Sequence, residues 1–180
     1  MHSTIKVGLV YGSTRKGRFC GVVANWAAQQ VAASAKFTLE SIDPADAQLS
    51  PTIQERIGAS DAFVVVTPEY NHGYPAPLKA MIDSVGAEWR AKPVAFVSYG
   101  GISGGLRAVE QLRQVFAEMH AVTVRDTVSF ASAWEQFDPT GQLLNPGRAE
   151  RSMKVMLARL HWWATALRTA REATPFLSAE

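Results

Sequence analysis

Two hydroxyls and two arginines lie between and beside a pair of glycines in the stretch Gly12-Ser13-Thr14-Arg15-Lys16-Gly17-Arg18. Those residue types are suited to holding a phosphate. Gly12 and Gly17 let the backbone turn freely and bring its amides close to a ligand. Ser13 and Thr14 add hydroxyl donors, and Arg15 and Arg18 can make charge-assisted bonds to phosphate oxygens. A helical pattern follows, so the N-terminal amides of that helix aim at the same point. The stretch is neither GxxxxGK[ST] nor GxGxxG, which argues against an NTPase or an ordinary dinucleotide fold. The plainer alternative is a polar surface turn leading into a helix.

A second stretch, Pro68-Glu69-Tyr70-Asn71-His72-Gly73-Tyr74-Pro75, offers a flat ring with a polar tip, an amide and a carboxylate. Pro68, Pro75 and Pro77 stiffen it at both ends. Such a loop can hold a heteroaromatic ring by face and edge, or it is a surface loop of ordinary turn formers. A third stretch, Gly100-Gly101-Ile102-Ser103-Gly104-Gly105, is nearly bare backbone. Its amides are available to carbonyl oxygens or developing negative charge, unless it only accommodates a helix start. Together the three suit a phosphorylated planar cofactor better than a metal or a nucleophile. His2, His72, His120 and His161 have no partner at metal-ligand spacing, and the single Cys20 cannot complete a zinc site. No GxSxG elbow is present. Cys20 falls near a predicted helix N-terminus, where thiols acidify, but a buried structural thiol is the preferred reading.

The elements that must position these loops follow from the hydrophobic pattern. Ile5–Tyr11, Phe37–Ile42, Ala62–Thr67, Val94–Tyr99 and Val122–Val128 read as strands. The second alternates with polar residues, as an edge strand does, and the third is apolar throughout, as a central strand is. Phe19, Val22, Val23, Trp26 and Ala27 recur at helical spacing, as do Leu78, Met81, Ile82 and Val85. So do Leu106, Val109, Leu112, Phe116 and Met119, and a closing series runs from Met153 to Leu167. Pro51–Gly58 reads as a short helix and Ser129–Gly147 as irregular. Strands alternating with helices predict an α/β chain with a doubly wound five-stranded parallel sheet. All three loops then lie on its carboxyl edge, in a 2-1-3-4-5 order with the switch point between the first and third strands. Trp162–Trp163 reads as core or interface.

Bulk composition excludes other classes. The 180 residues, 47% hydrophobic and 19% charged, fit a single domain, residues 1–180, with a full core. A net charge of +2 from 18 basic and 16 acidic residues is too small to imply nucleic acid. One cysteine precludes an intrachain disulfide and suits a reducing compartment. No secretory pattern opens the sequence, and no apolar run nears the ~20 residues that span a bilayer. The expectation is a cytoplasmic protein with no membrane insertion.

Four segments in order resemble the NADPH-dependent FMN reductases. They are Gly12-Ser13-Thr14-Arg15-x-Gly17-Arg18, then Thr67-Pro68-Glu69-Tyr70-Asn71, then Leu78-Lys79 with Ile82-Asp83, then Gly104-Gly105-Leu106-Arg107. The similarity runs from about Lys6 to Val128. It implies a flavodoxin-like fold, non-covalent FMN and NADPH or NADH as co-substrate. It also implies a small-molecule electron acceptor such as free flavin, a quinone or an azo compound, and assembly as a homodimer or homotetramer. By the same resemblance the FMN phosphate lies at Ser13, Arg15, Gly17 and Arg18. The isoalloxazine lies against Pro68, Glu69, Tyr70 and Asn71 and near Gly100 and Gly101. His72 and Tyr74 are candidates to shape the acceptor pocket, and no residue is assigned as a catalytic acid or base. Two positions depart from the pattern, since some branches carry a hydroxyl residue at Arg18 and an amide residue at Cys20. The competing readings are a flavodoxin-type electron carrier and a non-enzymatic FMN-binding protein. The carrier fits a chain at +2 poorly, because such carriers are acidic.

Overall fold

A computed structural model describes residues 4–46 and 53–176. Five parallel strands run in the order β2-β1-β3-β4-β5. They are β1 (Ile5–Tyr11), β2 (Phe37–Ile42), β3 (Ala62–Pro68), β4 (Pro93–Gly100) and β5 (Val122–Ala131). Between and after them come α1 (Cys20–Ala32), α2 (Ile53–Ala59), α3 (Ala76–Asp83), α4 (Leu106–Glu118) and α5 (Gly147–Ala173). The expected order and switch point are those observed. β3 is buried along its whole length, and β2 forms an edge with exposed Thr38 and Ser41.

Each face of the sheet has its own core. Ile5, Val7 and Leu9 of β1 point to one side, where Val23, Trp26 and Ala27 of α1 meet Met153, Met156 and Leu160 of α5. On the other side Phe63, Val65 and Phe96 pack against Ile57, Leu78, Ile82, Leu112 and Phe116 of α2, α3 and α4. Trp89, in a 3-10 turn over Ala87–Trp89, is fully buried there. Its indole N–H donates to the Ile82 carbonyl at 3.2 Å, which removes the cost of desolvating that donor.

One expectation is corrected and two are refined. The stretch Ser129–Gly147 is not irregular throughout. β5 continues to Ala131, since Ser129, Phe130 and Ala131 still pair with Ser98, Tyr99 and Gly100. A 3-10 turn over Ala133–Glu135 follows, then a bridge between Phe137 and Leu143. Prolines and glycines suggested a loop, but the buried β4 edge requires a partner for its backbone groups. The short helix expected over Pro51–Gly58 is observed as Ile53–Ala59, and Pro51 lies outside the described residues. Of the two readings of Trp162 and Trp163, core is removed: they are 63% and 37% exposed and packed edge to face on α5.

The β4–α4 connection depends on glycine at one point. Gly105 has φ +84°, and a Cβ there would stand 2.8 Å from the Ser98 Cβ and 2.9 Å from the Tyr99 amide nitrogen and carbonyl oxygen. Both the left-handed backbone and the backbone contact penalise a side chain. Gly105→Ala should therefore lower folding stability by about 2–4 kcal/mol. Gly101→Ala, whose Cβ would meet only the Trp134 ring at 3.9 Å, should change it by about 0.5 kcal/mol or less. Urea denaturation of the two variants checks this, and equal midpoints would refute the role of Gly105.

Candidate functional site

The residues that end β1, β3 and β4 are brought together on the carboxyl edge. The central member is the adjacent pair Glu69 and Tyr70, just past β3. Each reaches to a different neighbouring loop.

Tyr70 reaches toward β1. Its hydroxyl lies 2.8 Å from the Ser13 Oγ, which is fully buried. The Arg15 guanidinium lies over the Tyr70 ring with its carbon 3.6 Å from the centroid, a cation–π contact. Ser13, Thr14, Arg15, Tyr70, Tyr74 and Pro75 line a cleft of about 300 Å³. Tyr70 and Gly73 exchange backbone hydrogen bonds of 2.9 and 3.1 Å across Asn71 and His72, both at positive φ (50° and 69°). This is the primed turn geometry that glycine and asparagine favour, here carrying a histidine at its second position. The Gln111 amide donates to the His72 carbonyl at 2.9 Å and braces the turn against α4. Asn71 and His72 themselves are exposed at its tip.

Glu69 reaches toward β4. Its carboxylate, only 5% exposed, accepts from the Ser103 hydroxyl at 2.7 Å, the Arg107 amide at 3.1 Å and the Arg107 Nε at 2.6 Å. Burial pushes its pKa up, but the Ser103 and Arg107 bonds outweigh it and hold the carboxyl below the usual range. Pro68 and Gly100 are buried strand ends, and Gly101 is exposed beyond them.

The β1 loop has the donor set of a phosphate cradle. Among the described residues, the amides of Thr14, Lys16 and Gly17 have no protein acceptor. Gly17, at φ +68°, supplies the left-handed turn. Helix α1 begins without a side-chain cap and without an acidic residue in its first turn, so its N-terminal amides are left for an external anion. Exposed Arg15 adds a cation at the mouth. These residues fit the phosphate of FMN. Arg18, by contrast, is turned back into the protein. It forms a two-pronged ion pair with Asp43 at the end of β2 and donates to the Ser13 carbonyl. The Asp43 bond holds its pKa above the usual arginine value. This gives Arg18 a bracing role that suits its departure from the family pattern.

Asp43 was not singled out as a site residue from sequence. The signal for Asp43 was topological: an acid at the carboxyl end of β2 must lie beside the β1 loop. Cys20 is fully buried, with its thiol directed to the Val66 carbonyl at 3.7 Å. Burial pushes its pKa up, so it is a structural thiol and not an acidified one. Beside it the buried Tyr99 hydroxyl has no hydrogen-bond partner among the described residues, and burial drives its pKa upward. No group of three or more potential metal ligands occurs among the described residues.

A parallel 2-1-3-4-5 sheet with a phosphate-type loop at its switch point defines the flavodoxin-like class. The family model for NADPH-dependent FMN reductase matches residues 5–135. An NAD(P)H-dependent FMN reductase of Schizosaccharomyces pombe is 34% identical over 132 residues, 62% of this chain and 66% of that protein, just under two thirds of its length. An NAD(P)H:quinone oxidoreductase of Solanum tuberosum is 31% identical over 178 residues, 86% of this chain and 90% of that protein. Among solved structures, the FerB flavoenzyme NAD(P)H:(acceptor) oxidoreductase from Paracoccus denitrificans has a TM-score of 0.71 at 21% identity, covering 91% of this chain and 98% of that one. The fold is therefore shared. The chain belongs to the NADPH-dependent FMN reductase family.

The clasp at Glu69 has a pH signature. A carboxyl whose pKa is lower folded than unfolded stabilises the fold above its ordinary value of 4.5, and that contribution is lost as pH falls below it. Glu69→Gln should cost about 1–3 kcal/mol at pH 7, from loss of charge-assisted bonds. It should also flatten the decline in stability below pH 4.5. Thermal melts of both proteins between pH 7 and 3 check this, and parallel pH profiles would show that Glu69 makes no such contribution.

Proposed function

We propose that the protein takes a hydride from NAD(P)H onto bound FMN and passes two electrons to a small acceptor of the quinone, free flavin or azo class. The observation that carries this reading is the Ser13–Tyr70–Arg15 contact. It sets a phosphate-type loop directly against a flat aromatic loop. FMN when bound supplies the hydride and electron chemistry itself, as cofactors do.

The chain's own residues supply binding and orientation. Ser13, Arg15 and the free amides up to Gly17 are the phosphate end in this reading. Arg18 acts from behind, keeping the Ser13 carbonyl and the loop in place through Asp43. To reach a phosphate, Arg15 leaves the Tyr70 ring, which frees that face. Pro68, Glu69, Tyr70 and Asn71 form the ring side. Glu69 is spent on Ser103 and Arg107, so it acts by holding the Gly100–Gly101 backbone in register. The exposed amides of Gly101, Ile102 and Ser103 have no protein acceptor among the described residues and are available to the ring's edge. His72 and Tyr74 flank the mouth where an acceptor enters. No acid or base of the protein is needed, so none is assigned as catalytic. The whole chain acts as one flavin-binding unit, and its single buried thiol suits the reducing cytoplasm.

A homodimer or homotetramer completes the proposal. Ile102 and Leu106 are 92% and 48% exposed and Trp134 is 60% exposed, all beside the third loop. Faces of α3 and α4 border the same edge, so an isologous contact there would cover these side chains.

Arg15→Ala should weaken FMN binding about ten- to a hundredfold, the loss of one charge-assisted phosphate contact. Asn71→Ala should instead slow flavin reduction in stopped flow more than it lowers FMN affinity, because hydride transfer depends steeply on stacking geometry. FMN titration by fluorescence and single-turnover reduction separate the two effects. Unchanged affinity in Arg15→Ala would withdraw the phosphate assignment. For assembly, light scattering at micromolar concentration should give at least twice the 19.6 kDa chain mass, and a monomer would count against the interface.

A further inference from the structure

The opposite, amino edge of the sheet holds a second concavity of about 320 Å³, lined by Arg90, Lys92, Arg171, Glu88, Pro175 and Phe176 among others. Three cations from three places in the chain meet there. Arg90 follows the 3-10 turn, Lys92 immediately precedes β4, and Arg171 lies in the last turn of α5. Lys92 is 6% exposed and donates to the carbonyls of Ile57 and Gly58, both at 2.8 Å, which uses two of its three N–H groups. Arg171 donates to the Ala91 carbonyl and lies 3.6 Å from an Asp61 oxygen.

The acids nearby are already engaged. Asp61 accepts from the Lys6 amide at 3.0 Å and from Arg168 at 3.3 Å. Glu88 accepts from the Gln54 amide at 2.5 Å. Arg171 also feels the exposed Glu172 carboxylate, so Asp61 and Glu172 offset Arg168 and Arg171, but neither offsets Arg90. Half-buried Arg90 has no ion pair or side-chain hydrogen bond among the described residues. Carbonyl bonds explain why Lys92 and Arg171 are tolerated at this edge, but they do not explain Arg90. Converging, partly desolvated cations without matching anions are costly unless a counter-charge joins them.

We propose that this pocket binds a small dianionic oxyanion of the phosphate type, with Arg90 and Arg171 as planar forks and Lys92 as the point charge beneath. Guanidinium forks match tetrahedral oxyanions, and an ammonium adds charge without directional demand. The Phe176 ring at the rim, 5.5 Å from the ring of His120, offers an apolar wall to any organic group carrying the anion. The titration of Lys92 agrees with the geometry. Burial first, then Arg171, pull its pKa down to about 8, against Asp61 and Glu88, which raise it. An anion in the pocket adds to the raising side, so binding near pH 8 draws a proton onto Lys92.

Isothermal titration calorimetry of the FMN-saturated protein tests this at pH 8 and constant ionic strength. Sulfate is the first probe, because it has a phosphate-like dianion's charge and no proton of its own to titrate. Inorganic phosphate and phenyl phosphate follow. The expected result is one saturable site per chain with net proton uptake, read from the difference between two buffers of unlike ionisation enthalpy. Arg90→Ala should weaken binding about tenfold, the loss of one charge-assisted contact, and Lys92→Met should abolish the proton uptake. Tighter binding of phenyl phosphate than of inorganic phosphate would identify the anion as one carried by an organic molecule, and equal binding as a free oxyanion. Arg15→Ala, on the other edge, should alter neither. Absence of a saturable heat, Arg90→Ala binding like the parent, or loss of binding in Arg15→Ala would overturn the proposal. Should Lys92→Met fail to fold, Arg90→Ala and the proton count decide the outcome. The site is separate from the flavin loops, so its failure would leave the reading of those loops intact.

Discussion

The carboxyl end of β3 is where this structure must satisfy its hardest requirement. A strand buried on both faces delivers a carboxylate and a phenol, Glu69 and Tyr70, to the middle of the sheet edge. Neither can be left unpaired there without a large desolvation cost. Glu69 meets the requirement with Ser103 and Arg107, and Tyr70 meets it with Ser13 and Arg15. Because the two residues are adjacent, one short segment fixes the β1 loop and the β4 loop at once. A sheet in which these two pairings failed would retain its core, but its three loops would no longer form one site.

The same economy governs the loop after β1. Its free amides are exposed only because something else holds the loop's shape. Arg18 does this by tying the Ser13 carbonyl to Asp43 on the neighbouring edge strand. A residue whose type suggests ligand contact thus acts one step back, keeping donors aimed without offering them itself. Arg15 differs, because its partner is an aromatic face and the residue itself stays exposed. The two arginines of one short motif therefore have different mechanical roles.

The two edges of the sheet carry opposite kinds of positive potential. At the carboxyl edge it comes from backbone amides, a helix start and the exposed Arg15, while Arg18 and Arg107 are paired with Asp43 and Glu69. At the amino edge it comes from the buried Lys92 and the half-buried Arg171, capping the carbonyls of Ile57, Gly58 and Ala91. Strand and helix ends leave unpaired groups of opposite sign at the two edges, and the side chains placed there follow that asymmetry.

Much of this was legible in the residues alone. Val64, Val65 and Val66 declared a central strand and the alternating Phe37–Ile42 an edge, because periodicity depends on local burial pattern. Right-handed crossovers then left the 2-1-3-4-5 order and put Gly12–Arg18, Pro68–Tyr74 and Gly100–Gly105 on one edge. The extension of β5 through Ala131 was not legible, since pairing with Tyr99 and Gly100 is a tertiary fact that overrides loop-like composition. Nor were the partners of the charged residues. Arg18 on Asp43, Glu69 on Arg107 and Tyr70 on Ser13 are separated by 25, 38 and 57 positions, and no spacing rule connects them. Sequence determined which chemistries would meet at the edge, because residue type and strand order are local or topological properties. Only the packed tertiary structure decided which donor faces outward and which is spent inside, because that choice is made by desolvation and by whichever partner the fold brings within reach.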